Sequence, residues 1–293
     1  MRRWKSDRGL EARMVLTMFL LAVVYLAFLA VLYYLGAGFL TMVVFMGAFM
    51  FIQYYFSDKM VLSSMRAKIV TENEAPDLHQ IVDRLCAIAD LPKPKVAVVN
   101  SNVPNAFATG RNQKNSAIAV TTGLVNLLNP SELEAVIGHE LTHIKNRDSM
   151  VLTIGSFLSS LAAMIVQYAF FFGGGGNRDR DSGNIIIIWI VSAIVYAVSY
   201  ILIMALSRYR EFAADRGAAV ITGQPSNLAS ALMKISNVMP RIPTQDLRKV
   251  ESNNAFFIIP AVSKSSIFRL FSTHPPVEER IAALERISRE LEV

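Results

Sequence analysis

The chain has one cysteine in 293 residues, which excludes an intrachain disulfide and agrees with a reducing compartment. Cys86 lies in Asp77–Leu91, where Leu78, Ile81, Leu85 and Ile88 recur at helical spacing, so it reads as a small buried hydrophobe. No arrangement of residues around it supports a thiol nucleophile. Charge is missing over long distances. Met14–Leu35, Ala37–Phe56, Ser149–Phe172 and Ile185–Leu206 contain no Asp, Glu, Lys, Arg or His, and each runs for 20 to 24 residues. About 20 residues rising 1.5 Å each cross a hydrocarbon core of about 30 Å, so four membrane-spanning helices are expected. No small-residue cleavage site precedes Tyr33-Tyr34-Leu35, which argues against a removable signal peptide. Gly36-Ala37-Gly38 then turns the first stretch into the second, and Ser57-Asp58-Lys59 marks the exit. Beyond these two expected hairpins the chain shows no internal repeat.

The charge that is present is unevenly placed. Arg2, Arg3, Lys5, Arg8, Arg13, Lys59, Arg66, Lys68, Lys145, Arg147, Arg208, Arg210 and Arg216 flank the apolar stretches on one side. Arg178 and Arg180, interleaved with Asp179 and Asp181, stand on the other. The basic side of a membrane protein is cytoplasmic, so both termini and both large polar segments are expected there. The net charge of +6 is then explained by lipid and topology, and no nucleic-acid partner is expected. The expected organisation is a tail and hairpin (1–58), a polar segment (59–148), a second hairpin (149–206) and a second polar segment (207–293).

In the first polar segment, Lys95–Val99 and Ala117–Thr121 read as strands. Pro104–Gly110 between them fits either an ordinary loop or an extended edge whose backbone pairs with a substrate peptide. Pro130-Ser131-Glu132-Leu133-Glu134 starts a helix, with Ser131 as cap and Glu134 completing a capping box. That helix is expected to continue past Asp148 into the third apolar stretch. Arg208–Ile221 reads as a helix, and Val277–Leu291 as an amphipathic one with a seam of Val277, Ile281, Leu284, Ile287 and Leu291. Ser252–Thr273 fits a flap over a site or a packed core segment. The role of the glycine-rich connection Gly173–Asn184 stays open.

Chemistry concentrates in His139-Glu140-Leu141-Thr142-His143. Two histidines four apart on a helix point the same way and can each give one nitrogen to a Zn²⁺ ion. Glu140, on the adjoining flank, can take a proton from water and pass it to a leaving amine. A catalytic zinc needs a third protein ligand, and His79, His274 and several carboxylates are available. If the third and fourth stretches form an antiparallel pair, the chain before one emerges beside the chain after the other. That favours Glu211, with Asp215 one turn on to hold a ligand histidine; a surface ion pair with Arg208 or Arg216 is the alternative. His274, stiffened by Pro275 and Pro276, could donate a hydrogen bond to a developing oxyanion, or simply cap a helix. Arg280 could point to the same place or lie solvated.

Four pieces carry a family resemblance: Pro104–Gly110 (PNAFATG), His139–Asp148 (HELTHIKNRD), Ser207–Ala218 (SRYREFAADRGA) and Ser272–Pro276 (STHPP). With them the chain resembles the HtpX heat-shock membrane proteases, relatives of the CAAX prenyl endopeptidases within the gluzincin metallopeptidases. The resemblance implies a mainly α integral membrane protein with four transmembrane helices. It also implies a cytoplasmic α+β gluzincin domain with a small β-sheet. It implies one Zn²⁺ held by His139, His143 and Glu211, with Glu140 as general base and Asp215 supporting the ligands. His274 and Arg280 would stabilise the tetrahedral intermediate, and Asn105 and Ala106 would bind substrate on an edge strand. The implied enzyme is a multi-pass zinc metalloendopeptidase of the bacterial cytoplasmic membrane. It would cut misfolded or damaged membrane proteins, or other unfolded polypeptides, alongside other quality-control proteases. Processing of specific lipidated substrates and a non-catalytic membrane scaffold are the alternatives. Oligomeric state, cleavage preference and regulation are not legible.

Overall fold

The structure, a computed structural model, describes residues 7–34, 39–172, 182–242 and 274–291. The glycine-rich stretch 173–181 and the segment 252–273 lie outside the described residues. The chain forms two compact units, one built on Arg8–Tyr54 and Val151–Leu206, the other on Tyr55–Met150 and Ser207–Val293.

In the first unit, helix α1 (Arg8–Tyr34) buries Leu21, Tyr25, Phe28 and Leu32, spaced four, three and four apart on one stripe. Val15, Leu16, Phe19, Val23 and Leu26 on its other faces are exposed although apolar. Helix α2 (Phe39–Ser64) follows, then α6 (Asp148–Phe172) and α7 (Ser182–Thr222). The buried stripe of α1 packs with Ala162 of α6 and with Val195 and Leu206 of α7. The Tyr25 hydroxyl donates to the Gly155 carbonyl, which gives a polar atom inside this apolar unit a partner.

The expectation of four spanning helices is corrected here. Among the described residues, two helices are long and apolar enough to cross a membrane, Arg8–Tyr34 and Ile186–Thr222. A charge-free run is not in itself a span. Among the described residues, the part of α6 that counts as an apolar helix, Asp148–Ala163, is shorter than the about 20 residues a bilayer needs. Helix α2 runs on past Ser57-Asp58-Lys59 to Ser64, and from Tyr55 onward it belongs to the second unit. The two long apolar helices support a membrane location.

The second unit holds a four-stranded sheet of β1 (Lys68–Ile69), β2 (Lys95–Val99), β3 (Ala106–Asn112) and β4 (Asn115–Thr121), in the order β1-β2-β4-β3. Strand β4 runs parallel to β2, with Ala97 opposite Ala119, and antiparallel to β3, with Ala106 opposite Val120. Strands β1 and β3 are therefore the two edges. The Thr121 amide donates to the Asn105 carbonyl at 2.9 Å. Antiparallel pairs alternate, so Phe107 and Thr109 turn their backbone groups toward β4 while Ala106 and Ala108 turn theirs outward. Helices α3 (Pro76–Ala89), α4 (Thr122–Leu127), α5 (Pro130–Lys145), α8 (Pro225–Val238) and α9 (Val277–Leu291) complete the unit. Val82, Leu85, Val96, Ile118, Val136, Leu141, Leu232 and Leu284 form one shared core. Burial and a nearby Asp83 push the Cys86 thiol up to about 11, consistent with an inert core position.

Two local expectations shift. The cap of α5 is Asn129, whose side chain accepts from the Glu132 amide while Glu132 reaches back to the Asn129 amide. The capping box therefore lies two residues earlier than Ser131 and Glu134. The same helix stops at Lys145 rather than running on, because Arg147 adopts a left-handed φ of 56° before α6 begins at Asp148.

Candidate metal centre

Helix α5 points His139, Glu140 and His143 inward; the first two are buried and His143 is half-buried. Helix α7, uninterrupted from Ser182 to Thr222, comes close enough for the facing positions to be small. A Cβ on Gly138 would lie 3.2 Å from Thr222 Cγ2 and 3.7 Å from Ala218 Cα. Ala214 and Ala218 are fully buried along the same helix. That close approach sets Glu211 and Asp215, one turn apart, beside the two histidines.

Ligand atoms of His139, His143 and Glu211 all lie within 4.8 Å of one another. His143 Nε2 is 3.1 Å from His139 Nε2 and 3.5 Å from Glu211 Oε1, while His139 Nε2 is 3.6 Å from Glu211 Oε2. A tetrahedral ion with ligands at about 2.0–2.1 Å requires ligand atoms about 3.3 Å apart, so this donor set fits a zinc-sized cation. The second ring nitrogens strengthen the fit. His143 Nδ1 lies 2.6 Å from Asp148 Oδ2, and His139 Nδ1 lies 3.0 Å from Asp215 Oδ1, out of line for an ideal hydrogen bond. Carboxylates facing both Nδ1 atoms assign the protons there, leaving two Nε2 lone pairs aimed at each other. Two lone pairs and a carboxylate converging on one point form a site for a cation. Burial opposes protonation of His139, yet Asp215 and Glu211 outweigh it and raise its pKa.

The remaining expected residues fall around this cluster. His274 Nδ1 is 3.0 Å from Glu211 Oε2. Arg280, fully buried on α9, grips Asp215 with two bonds, Nε to Oδ2 at 2.9 Å and Nη2 to Oδ1 at 2.6 Å. Its Nη1 lies 3.3 Å from Glu211 Oε2. Burial works against its charge, but Asp215, Glu211 and Glu140 raise its pKa still further. Asn105 and Ala106 sit at β3, the strand against which α5 packs. Both are buried, Asn105 through main-chain bonds to Thr121.

Two residues at the site went unassigned in the sequence. Asp148 holds His143 through Oδ2, and through Oδ1 it meets Arg210 Nη2 at 2.9 Å. Their signals were present: Asp148 closes the run HELTHIKNRD and Arg210 adjoins Glu211. What hid them was the break between α5 and α6, which folds Asp148 back toward His143.

A helix bearing His-Glu-x-x-His, with a glutamate from a second helix completing a three-residue donor set, defines the metallopeptidase class. The profile of peptidase family M48 matches residues 72–288. The chain is 62% identical over 291 residues to "Protease HtpX homolog 2" of Methanosarcina mazei, covering 99% of both. It is 60% identical to "Protease HtpX homolog" of Moorella thermoacetica, covering 99% of this chain and 98% of the other. The chain thus belongs to peptidase family M48, among its HtpX-type members. The crystal structure of S. mikatae Ste24p aligns with 94% of this chain and 67% of its own at a TM-score of 0.57 and 19% identity, a likeness of fold.

Proposed function

We propose that the protein is a zinc-dependent endopeptidase in which His139, His143 and Glu211 hold the ion and Glu140 is the general base. The observation that carries this reading is the convergence of ligand atoms of His139, His143 and Glu211 within 4.8 Å of one another, with the buried Glu140 on the same helix. Held by His139, His143 and Glu211, a zinc ion would supply Lewis acidity toward a carbonyl oxygen and a lowered pKa for water. Glu140 accepts a proton from the attacking water and returns it to the departing amine nitrogen. Asp215 orients His139 through Nδ1, and Arg280 fixes Asp215. His274, with Nδ1 3.0 Å from Glu211 Oε2, is the residue assigned to donate to the developing oxyanion. A peptide pairing with β3 would use the outward groups of Ala106 and Ala108, while Asn105 anchors the start of the strand to Thr121.

As the resemblance to HtpX-type proteases implies, we infer that the substrates are misfolded or damaged membrane proteins and unfolded chains, cut at the cytoplasmic face of the cytoplasmic membrane. The lone cysteine and the basic residues flanking the apolar helices favour that compartment. The test is Glu140→Gln in the purified full chain. Hydrolysis of an unfolded protein such as casein should fall at least about 10²-fold with zinc content unchanged. Unchanged turnover would remove Glu140 from the chemistry, and loss of zinc would make it a ligand.

A further inference from the structure

The two histidines are each backed by a carboxylate, and each carboxylate by a buried arginine. Behind His139 stand Asp215 and Arg280; behind His143 stand Asp148 and Arg210. We propose that Asp148 and Arg210 are positioning residues, a relay that fixes the His143 imidazole with its Nε2 turned to the metal. The proposal rests on the metal reading above.

The geometry on this side is the tighter of the two at the ring. The 2.6 Å contact between His143 Nδ1 and Asp148 Oδ2 is a well-formed hydrogen bond, whereas the His139 contact is longer and out of line. His143 also has more freedom to lose, because its side chain is 17% exposed against 1% for His139. A half-buried imidazole beside solvent needs an external hold on its tautomer and tilt. Asp148 provides it with one oxygen and takes Arg210 with the other.

Arg210 makes sense chiefly in this role. It is buried, yet among the described residues its Nε and Nη1 have no hydrogen-bond partner. An ion pair buried with half its donors unused adds little to stability. Its placement one residue before Glu211 ties the third ligand's helix to the second ligand's ring. The competing role is structural: Asp148 as a first-turn acid of α6, pinned to α7 by Arg210. That role predicts a loss of stability and no change at the metal.

The measurement is zinc affinity of the full chain in detergent, by competition with a chromophoric chelator, alongside the melting of the zinc-free protein. Asp148→Ala should weaken zinc binding about 10- to 100-fold. Asp148→Asn should weaken it less, since the amide oxygen still accepts from Nδ1–H, and Arg210→Met should weaken it in the same direction. Wild-type affinity in Asp148→Ala, with only the melting lowered, would overturn the proposal. Wild-type zinc affinity in His143→Ala would instead overturn the metal reading itself. Should Asp148→Ala not fold, ¹⁵N-histidine spectra of the wild type decide, because the chain has only 4 histidines. The zinc-loaded His143 should carry its proton on Nδ1, in a strong hydrogen bond that Arg210→Met perturbs. A proton on Nε2 would refute the relay.

Discussion

Replacing Arg280 with methionine should destabilise the sheet-bearing unit more than any surface charge change. The side chain is fully buried and bonds Asp215 through both oxygens, at 2.6 and 2.9 Å, with Glu211 a further 3.3 Å away. Solvent does not screen this pair. Methionine has a similar volume, so packing is largely kept, but Asp215 is left as an uncompensated buried charge. Breaking one partner of such a pair costs about 3–5 kcal/mol. For a unit of this size each kcal/mol moves the melting temperature by about 2–4 °C, so a fall of about 6–20 °C is expected in the zinc-free protein. Adding Asp215→Asn removes the stranded charge and should restore a large part of the loss, giving a coupling energy above about 2 kcal/mol in a double-mutant cycle. Urea unfolding in mild detergent reads all four states. An Arg280→Met variant within about 1 kcal/mol of wild type, with no rescue by Asp215→Asn, would refute the reasoning by placing water at the pair.

Other outcomes follow from the same geometry. Gly138→Val forces atoms into the α5–α7 contact, where a Cβ already meets Thr222 Cγ2 at 3.2 Å. It should cost about 1–3 kcal/mol in urea unfolding and weaken zinc binding by moving Glu211 away. Burial opposes the charge on Glu132, but Lys234, the Asn129 amide and Ser230 outweigh it and lower its pKa. A lowered folded pKa gives stability that is present above the unfolded value of about 4.3 and lost as pH falls through the folded value. Stability of Glu132→Gln should therefore change less with pH below about 4.3 than that of wild type. Ala108→Pro removes an amide that faces away from β4, so the fold should survive while KM for unfolded substrates rises. Thr109→Pro removes one that faces β4 and should destabilise the sheet.

How much of this was legible depended on the range over which each feature is fixed. The His139–His143 pair is local, and helical periodicity alone sets both rings on one face. Glu211 was reached because a return along the fourth apolar stretch brings the chain back near the start of the third. Asp148 was not reached, because its place depends on a left-handed φ at Arg147, a non-glycine position that carries no turn signal. The cap at Asn129 was missed for a smaller reason. Asn, Ser and Glu all occur within Asn129–Glu134, and register among them is settled by packing rather than by composition. Counting charge-free runs gave too many spans, since the test ignores which residues of a helix belong to the sheet-bearing unit. Helix α2 joins that unit from Tyr55, which leaves Phe39–Tyr54 in the apolar unit, fewer than the about 20 residues a bilayer needs.

The central claim is that His139, His143 and Glu211 hold one zinc ion. Anomalous diffraction from crystals of the zinc-loaded full chain, recorded on both sides of the zinc absorption edge, tests it most directly. The account predicts one peak about 2.0–2.2 Å from His139 Nε2, His143 Nε2 and a Glu211 carboxylate oxygen. A peak elsewhere, or a zinc-loaded crystal with none between these three residues, would contradict it.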